Sequence, residues 1–176
     1  MKIRHLVITA LFTAAICVMA PFSVPIGPIP ITLATLGVYL AAGLLGAKLG
    51  TLSVTLYIIL GALGVPVFAG FSGGFHKLAG VTGGYIVGYI LCALIAGALM
   101  RRLRYRPWAI ALALGLGTAV LYAFGTAWYI LQTGTALMPA LAGCVVPFLP
   151  CDLIKIAAAT GLICILRPVL IRLGLK

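Results

Sequence analysis

Asp152 is the sole carboxylate side chain in 176 residues, and it stands three positions before Lys155 in an otherwise apolar stretch. Residues at i and i+3 of a helix share a face, so the two form an ion pair that accepts and donates hydrogen bonds side by side. An ionised group at mid-bilayer costs roughly 2.5–3.5 kcal/mol, and a pair retained at that cost is the first candidate for holding a polar ligand. A plainer role is open beside it. In Pro147-Phe148-Leu149-Pro150-Cys151-Asp152-Leu153-Ile154-Lys155, Pro150 reads as a helix starter. Asp152 then falls in the first turn, where the helix dipole favours an anion, and Lys155 neutralises it.

A second constellation runs from Phe68 through Ser72-Gly73-Gly74-Phe75-His76-Lys77 to Thr82-Gly83-Gly84-Tyr85. Glycines such as Gly73 and Gly74 let main-chain donors approach a ligand closely, so this segment suits a lid or pocket wall, or else a flexible turn. His76 and Lys77 fit an anionic ligand, or plain solvated surface. The segment is not a phosphate loop, because no Gly-Lys-Ser/Thr occurs anywhere in the chain. Thr32 and Thr35, following Pro30, present hydroxyls to a ligand or back to their own helix. Tyr39, Tyr85, Trp128 and Tyr129 either wall an apolar pocket or mark a membrane interface. His76 has no nearby partner for a metal, and no nucleophile sits at a recognisable spacing from a histidine, so neither a metal site nor catalysis is expected.

The elements that must position these groups follow from composition. A chain 64% apolar and 7% charged, with mean hydropathy +1.30, has too little polar surface to cover a soluble core. Its apolar stretches match the length of membrane-crossing helices and lack the alternation of barrel strands. Spans are expected near residues 5–20, 32–46, 48–64, 83–100, 108–131 and 150–171, giving an all-α bundle of six transmembrane helices in one domain covering 1–176. The connections are 21–30, a turn at 46–48, the glycine-rich 65–82, the basic 101–107, and 132–149.

The net charge of +11 would suggest nucleic acid in a soluble protein, but here the basic residues flank apolar spans and record topology. Lys2, Arg4, Lys48, Arg101, Arg102, Arg104, Arg106, Arg167, Arg172 and Lys176 fall on one side of the bundle, Lys77 falls opposite, and Lys155 lies within a span. The positive-inside rule then puts both termini in the cytoplasm and Asp152 in the outer half. The first span has the charged start of a signal peptide, yet Pro21 directly after the apparent cleavage site favours a retained helix. Small residues at four-residue spacing, among them Ala10 and Ala14, Gly46 and Gly50, and Ala93 and Gly97, permit close helix contact in lipid. Ala10 and Ala14, on an edge helix, are the pair open to another protein. The five cysteines are scattered, and Cys144 and Cys151 serve as small packing residues rather than as a disulfide.

Pro-Ile-Thr-Leu-Ala-Thr-Leu from Pro30, Gly-Val-Pro-Val-Phe-Ala-Gly from Gly64, Ser-Gly-Gly followed by Thr-Gly-Gly-Tyr, and Pro-Phe-Leu-Pro-Cys-Asp-Leu-Ile-Lys from Pro147 together resemble the BioY family. Its members are the biotin-specific substrate-capture subunits of energy-coupling factor transporters. The chain departs from the family's usual pattern at Ala34, Phe71, Val81 and Cys151, and it contains no asparagine. The resemblance implies a multi-pass protein of a bacterial or archaeal plasma membrane, without cofactor or enzymatic activity. It would capture biotin on the outer face and work with a membrane coupling (T) protein and a pair of ATPases. It also implies ligand contacts from Asp152, Lys155, Thr35, Tyr85 and the loop residues Gly73, Gly74, His76 and Lys77, with docking through Ala10 and Ala14. The residues alone leave two other classes open: a self-sufficient channel or facilitator, and a structural membrane subunit that binds nothing.

Overall fold

A computed structural model describes residues 3–25 and 27–172; Lys2 and Lys176 of the charge pattern lie outside them. Its elements are α1 (Ile3–Met19), β1 (Ser23–Val24), β2 (Ile31–Thr32), α2 (Ala34–Ala62), α3 (Phe75–Ala79), α4 (Gly83–Arg102), α5 (Pro107–Thr133), α6 (Leu137–Cys144) and α7 (Phe148–Arg172). The apolar runs are helical because hydrocarbon offers no partner to an exposed N–H or C=O, and a helix satisfies both internally. Among the described residues α2, α4, α5 and α7 are long and apolar enough to cross a membrane, and α1 is a shorter apolar helix of 17 residues. Local chemistry sets the ends of α5: Pro107 opens its first turn, and Gly134 closes it in the left-handed conformation at φ 68°.

The expected turn at 46–48 is a break inside α2. Gly46 adopts φ 77° and ψ 179°, which a residue with a Cβ resists. The chain doubles back at that point. A methyl group on Gly50 would lie 2.7 Å from the Ala41 carbonyl oxygen, whereas nine residues of continuous helix would separate the two by about 13.5 Å. Gly97 of α4 seats the break, with room for no more than its hydrogen: a methyl there would lie 2.6 Å from the Ala47 nitrogen.

Helix α4 packs against both α2 and α5, α1 covers α2, and α7 rests against α2 and α5. Buried hydroxyls tie the layers together. Ser53 Oγ donates to the Thr9 carbonyl at 3.1 Å and Thr13 Oγ1 to the Ser53 carbonyl at 3.1 Å, while Tyr39 Oη and Thr118 Oγ1 meet at 2.6 Å. Tyr39 is thus interhelical glue rather than pocket wall. On the free side of α1, Ala10 and Ala14 are exposed among Leu6, Val7, Leu11 and Val18.

The connections hold more structure than their sequence announces. Segment 21–30 is closed by an antiparallel ladder pairing Ser23 with Thr32 and Val24 with Ile31, so Thr32 precedes α2 instead of entering it. Short helices α3 and α6 interrupt the two longer connections. Helix α7 begins at Phe148, two residues before Pro150, and has no acidic residue in its first turn; Asp152 therefore does not cap it. All five cysteines are free.

Gly97→Ala is expected to destabilise the protein by about 1–3 kcal/mol by overpacking. Gly115→Ala, where an added methyl meets nothing within 4 Å, should be neutral to stabilising by up to about 1 kcal/mol, because glycine inside a helix is that much less favourable than alanine. Thermal unfolding in detergent measures both, and equal effects would refute the close approach at Gly97.

Candidate ligand-binding site

The site lies at the end of the bundle opposite the Gly46 break, where the chain between α2 and α4 folds over as a cover. Its bends are fixed mainly by backbone bonds. Phe68 and Ser72 exchange N–H···O bonds of 2.8 and 3.3 Å, Gly74 N donates to the Gly61 carbonyl at 2.7 Å, and Gly70 N donates to the Pro21 carbonyl at 3.0 Å. Side chains of α5 hold the far edge: Trp128 Nε1 donates to the Gly80 carbonyl at 3.0 Å and Gln132 Nε2 to the Ala79 carbonyl at 3.2 Å.

Beneath this cover is a cavity of about 470 Å³, within the range of small-molecule sites. Tyr57, Phe68, Tyr85 and Tyr89 give it aromatic walls, Thr32, Ser72 and Thr82 line it with hydroxyls, and His76 and Lys77 stand at its loop side. Among the described residues neither of these two side chains makes a hydrogen bond to protein. Through Ile29, Pro30, Thr32, Tyr85 and Tyr89 the cavity shares walls with a recess of about 20 Å³, which Thr35, Tyr122, Phe148, Asp152 and Lys155 complete.

The recess holds the ion pair. Lys155 Nζ lies 2.8 Å from Asp152 Oδ1, and the two residues are 9% and 2% exposed, so neither is solvated. Lysine has three protons to donate, and three acceptors meet them: Asp152 Oδ1, Thr35 Oγ1 at 3.0 Å and the Thr32 carbonyl at 2.7 Å. Thr35 Oγ1 in turn donates to Oδ1 at 3.3 Å, and Tyr122 Oη donates to Oδ2 at 2.5 Å. The network spans α2, α5 and α7. Breaking a buried pair by removing one partner costs about 3–5 kcal/mol, so these bonds fasten the helices to one another.

The structure therefore gathers Asp152, Lys155 and Thr35 in one recess, sets Tyr85 in the shared wall, and lines the upper cavity with His76 and Lys77. It leaves Gly73 and Gly74 out of the lining. A methyl on Gly73 would lie 2.4 Å from the Val65 carbonyl oxygen, and Gly74 starts α3 at φ 101°; both shape the cover from behind. Tyr89 and Tyr122 escaped the sequence reading. Their signal was a phenol in the middle of an apolar helix, where a hydroxyl needs a specific partner. On α6 burial raises the Cys144 thiol above its ordinary range, with the Tyr85 hydrogen bond opposing, and the Cys144 carbonyl accepts from Tyr85 Oη at 3.3 Å. Cys144 is a neutral packing group.

An apolar helical scaffold with a covered, largely apolar cavity, basic side chains at one end and a paired carboxylate at the other defines a membrane protein that binds a small amphipathic solute. The BioY family model matches residues 1–172. The biotin transporter BioY of Thermotoga maritima is 41% identical over 159 residues, covering 89% of this chain and 91% of that protein. A probable biotin transporter BioY of Pyrococcus horikoshii is 43% identical over 159 residues, covering 90% and 93%. The crystal structure of the S-component for biotin from an ECF-type ABC transporter superposes with a TM-score of 0.89 at 30% identity, covering 95% of this chain and 92% of that one. The chain belongs to the BioY family.

Lys155→Met should destabilise the protein by about 3–5 kcal/mol, since it strands the Asp152 carboxylate, whereas Asp152→Leu with Lys155→Met should recover most of that loss. Unfolding midpoints in one detergent measure the coupling; additive losses would show that the pair does not act as a unit.

Proposed function

We propose that this chain is the biotin-capturing S-component of an ECF-type transporter and one transmembrane substrate-binding domain. In this reading α1, residues 34–45 and 47–62 of the broken α2, α4, α5 and α7 are the six spans, and both termini face the cytoplasm of a bacterium or archaeon. The observation that carries the proposal is the cavity of about 470 Å³ whose walls continue into the Asp152–Lys155 recess.

Biotin's chemistry matches that layout from end to end. Its ureido ring offers N–H donors and a carbonyl acceptor, and it would enter the recess by exchange. Asp152 gives up a bond from Tyr122 or Thr35 to accept from the ring, while Lys155 turns a proton toward the ring carbonyl. The recess is too small for the ring as it stands, so these side chains must move. The thiophane ring and valeryl chain fit the aromatic walls, and the carboxylate meets the His76 imidazole and the Lys77 ammonium, neither of which has a hydrogen-bonded protein partner among the described residues.

The chain lacks a nucleotide-binding motif, so energy has to come from partners. A membrane coupling protein and its pair of ATPases supply it in this reading. The exposed Ala10 and Ala14 face of α1 is where a partner helix approaches most closely. A channel or facilitator would need a polar path through the bundle, and the core around α4 is instead built from Val54, Cys92, Ala96, Met100 and Leu114.

Titration calorimetry on the detergent-purified chain is expected to show biotin binding, with Asp152→Asn weakening it by about 2–5 kcal/mol. A biotin amide should bind more weakly than the acid in the parent but not in Lys77→Ala. A parent that binds no biotin, or a monodisperse Asp152→Asn protein that binds like the parent, overturns the assignment. Equal binding of acid and amide by the parent removes His76 and Lys77 from it.

Ala14→Trp should block assembly with the coupling module and uptake while leaving biotin binding by the isolated chain within about twofold, because Ala14 lies outside the cavity lining. Co-purification and calorimetry read the two separately. Loss of both would put Ala14 inside the bundle, and intact assembly would place the docking face elsewhere.

A further inference from the structure

The opposite end of the bundle holds a second cavity, of about 390 Å³, that biotin capture does not use. Four basic side chains from four helices line it: His5 of α1, Lys48 of α2, Arg101 of α4 and Arg167 of α7. Arg167 is held in place, its guanidinium carbon 3.2 Å from the centre of the Tyr105 ring, and Tyr105 lines the same cavity. Between the cations the walls are apolar, with Leu44, Leu45, Leu49, Leu170 and Ile171.

The sequence provides no acidic side chain to answer these charges, since its one carboxylate, Asp152, is engaged with Lys155 in the recess beyond. Among the described residues none of the four basic side chains donates a hydrogen bond to protein. The charges of Lys48, Arg101 and Arg167, convergent on one cavity, repel one another unless an anion sits among them. The positive-inside pattern explains why this end is basic, but it does not explain why helices distant in sequence bring their cations to the wall of one concave, half-apolar space.

We propose that this cavity binds the phosphate of an anionic phospholipid, with the glycerol and upper acyl chains against Leu44, Leu49, Leu170 and Ile171. A phosphodiester offers oxygen acceptors to guanidinium forks, and its attached chains suit a wall that is apolar wherever it is not cationic, which inorganic phosphate does not. Basic pockets between helices are where anionic headgroups are held. Because the lipid bridges α1, α2, α4 and α7, it clasps the end of the bundle that Gly46 leaves with a break. The proposal does not rest on biotin binding.

The test uses the full chain in a neutral detergent, with dioleoylphosphatidylglycerol or dioleoylphosphatidylcholine added, and reads lipid retained by native mass spectrometry alongside the unfolding midpoint. Phosphatidylglycerol is expected to bind as one retained molecule and to raise the midpoint, and phosphatidylcholine to do neither. Each basic contact to an anionic lipid contributes about fivefold, so Arg101→Gln with Arg167→Gln should weaken retention roughly 25-fold. The exposed Lys48→Gln, whose fold is not at risk, should weaken it about fivefold. Arg104→Gln with Arg106→Gln, at the same end but outside the lining, should retain lipid like the parent. Equal retention of phosphatidylcholine, equal loss in the Arg104 and Arg106 variant, or unchanged retention in Lys48→Gln would overturn the site. Stabilisation by inorganic phosphate equal to that by phosphatidylglycerol would assign the cavity to a soluble anion and overturn the lipid.

Discussion

A lysine amine held away from water needs a counter-charge, and this chain contains a single side chain able to supply one. That scarcity constrains the half of the bundle that holds the cavity. For Lys155 to reach Asp152, α7 must run as a helix through both; for its remaining protons to find acceptors, the Thr32–Thr35 segment must approach α7; for the second carboxylate oxygen to be satisfied, Tyr122 must bring α5 to the same point. Thr32 is placed by the same approach, and Tyr85 and Tyr89, carried by the α4 that packs against α2 and α5, complete the wall between cavity and recess. A buried ion pair is weak evidence for stability taken alone, since apolar replacements often do as well. Here the pair specifies which helices meet and at what height.

The scaffold around the pair was legible in the sequence, and the detail of the connections was not. Apolar runs and proline or glycine punctuation located the long helices, and Gly46 marked the reversal, because hydropathy and backbone freedom are local properties of the residues concerned. Helix α7 starts two residues ahead of Pro150. Pro150 fits the first turn as well as the first position, and a sequence does not say which turn tertiary contacts will favour. Thr32 was expected in a helix and instead pairs with Ser23, since a two-residue ladder is decided by the partner strand. Helices α3 and α6 are too short to leave a periodic trace.

The site divides in the same manner. Asp152, Lys155 and Thr35 were readable because a charge in an apolar run announces itself and spacing supplies its neighbours. Tyr122, thirty residues upstream of Asp152, signals by its mid-helix phenol only that some partner exists: which partner depends on how α5 lies beside α7, and that is not a local property of the sequence. Gly73 and Gly74 show the converse. Their glycine character was noticed and its cause lay behind the loop, in the Val65 carbonyl and the start of α3, rather than in front of it.

The cover over the cavity is held at its far edge by an indole. Trp128 and Trp108 are the only tryptophans in the chain; Trp128 donates to Gly80 beside the cavity, while Trp108 is 56% exposed at the start of α5. The two therefore experience different environments, one tied to a loop carbonyl and the other free at the basic end. Any displacement of the cover that broke this bond would change the surroundings of Trp128 and hence its emission, and Trp108, accessible to an aqueous or interfacial quencher, can be silenced separately. The protein carries its own optical gauge of whether the cover is seated.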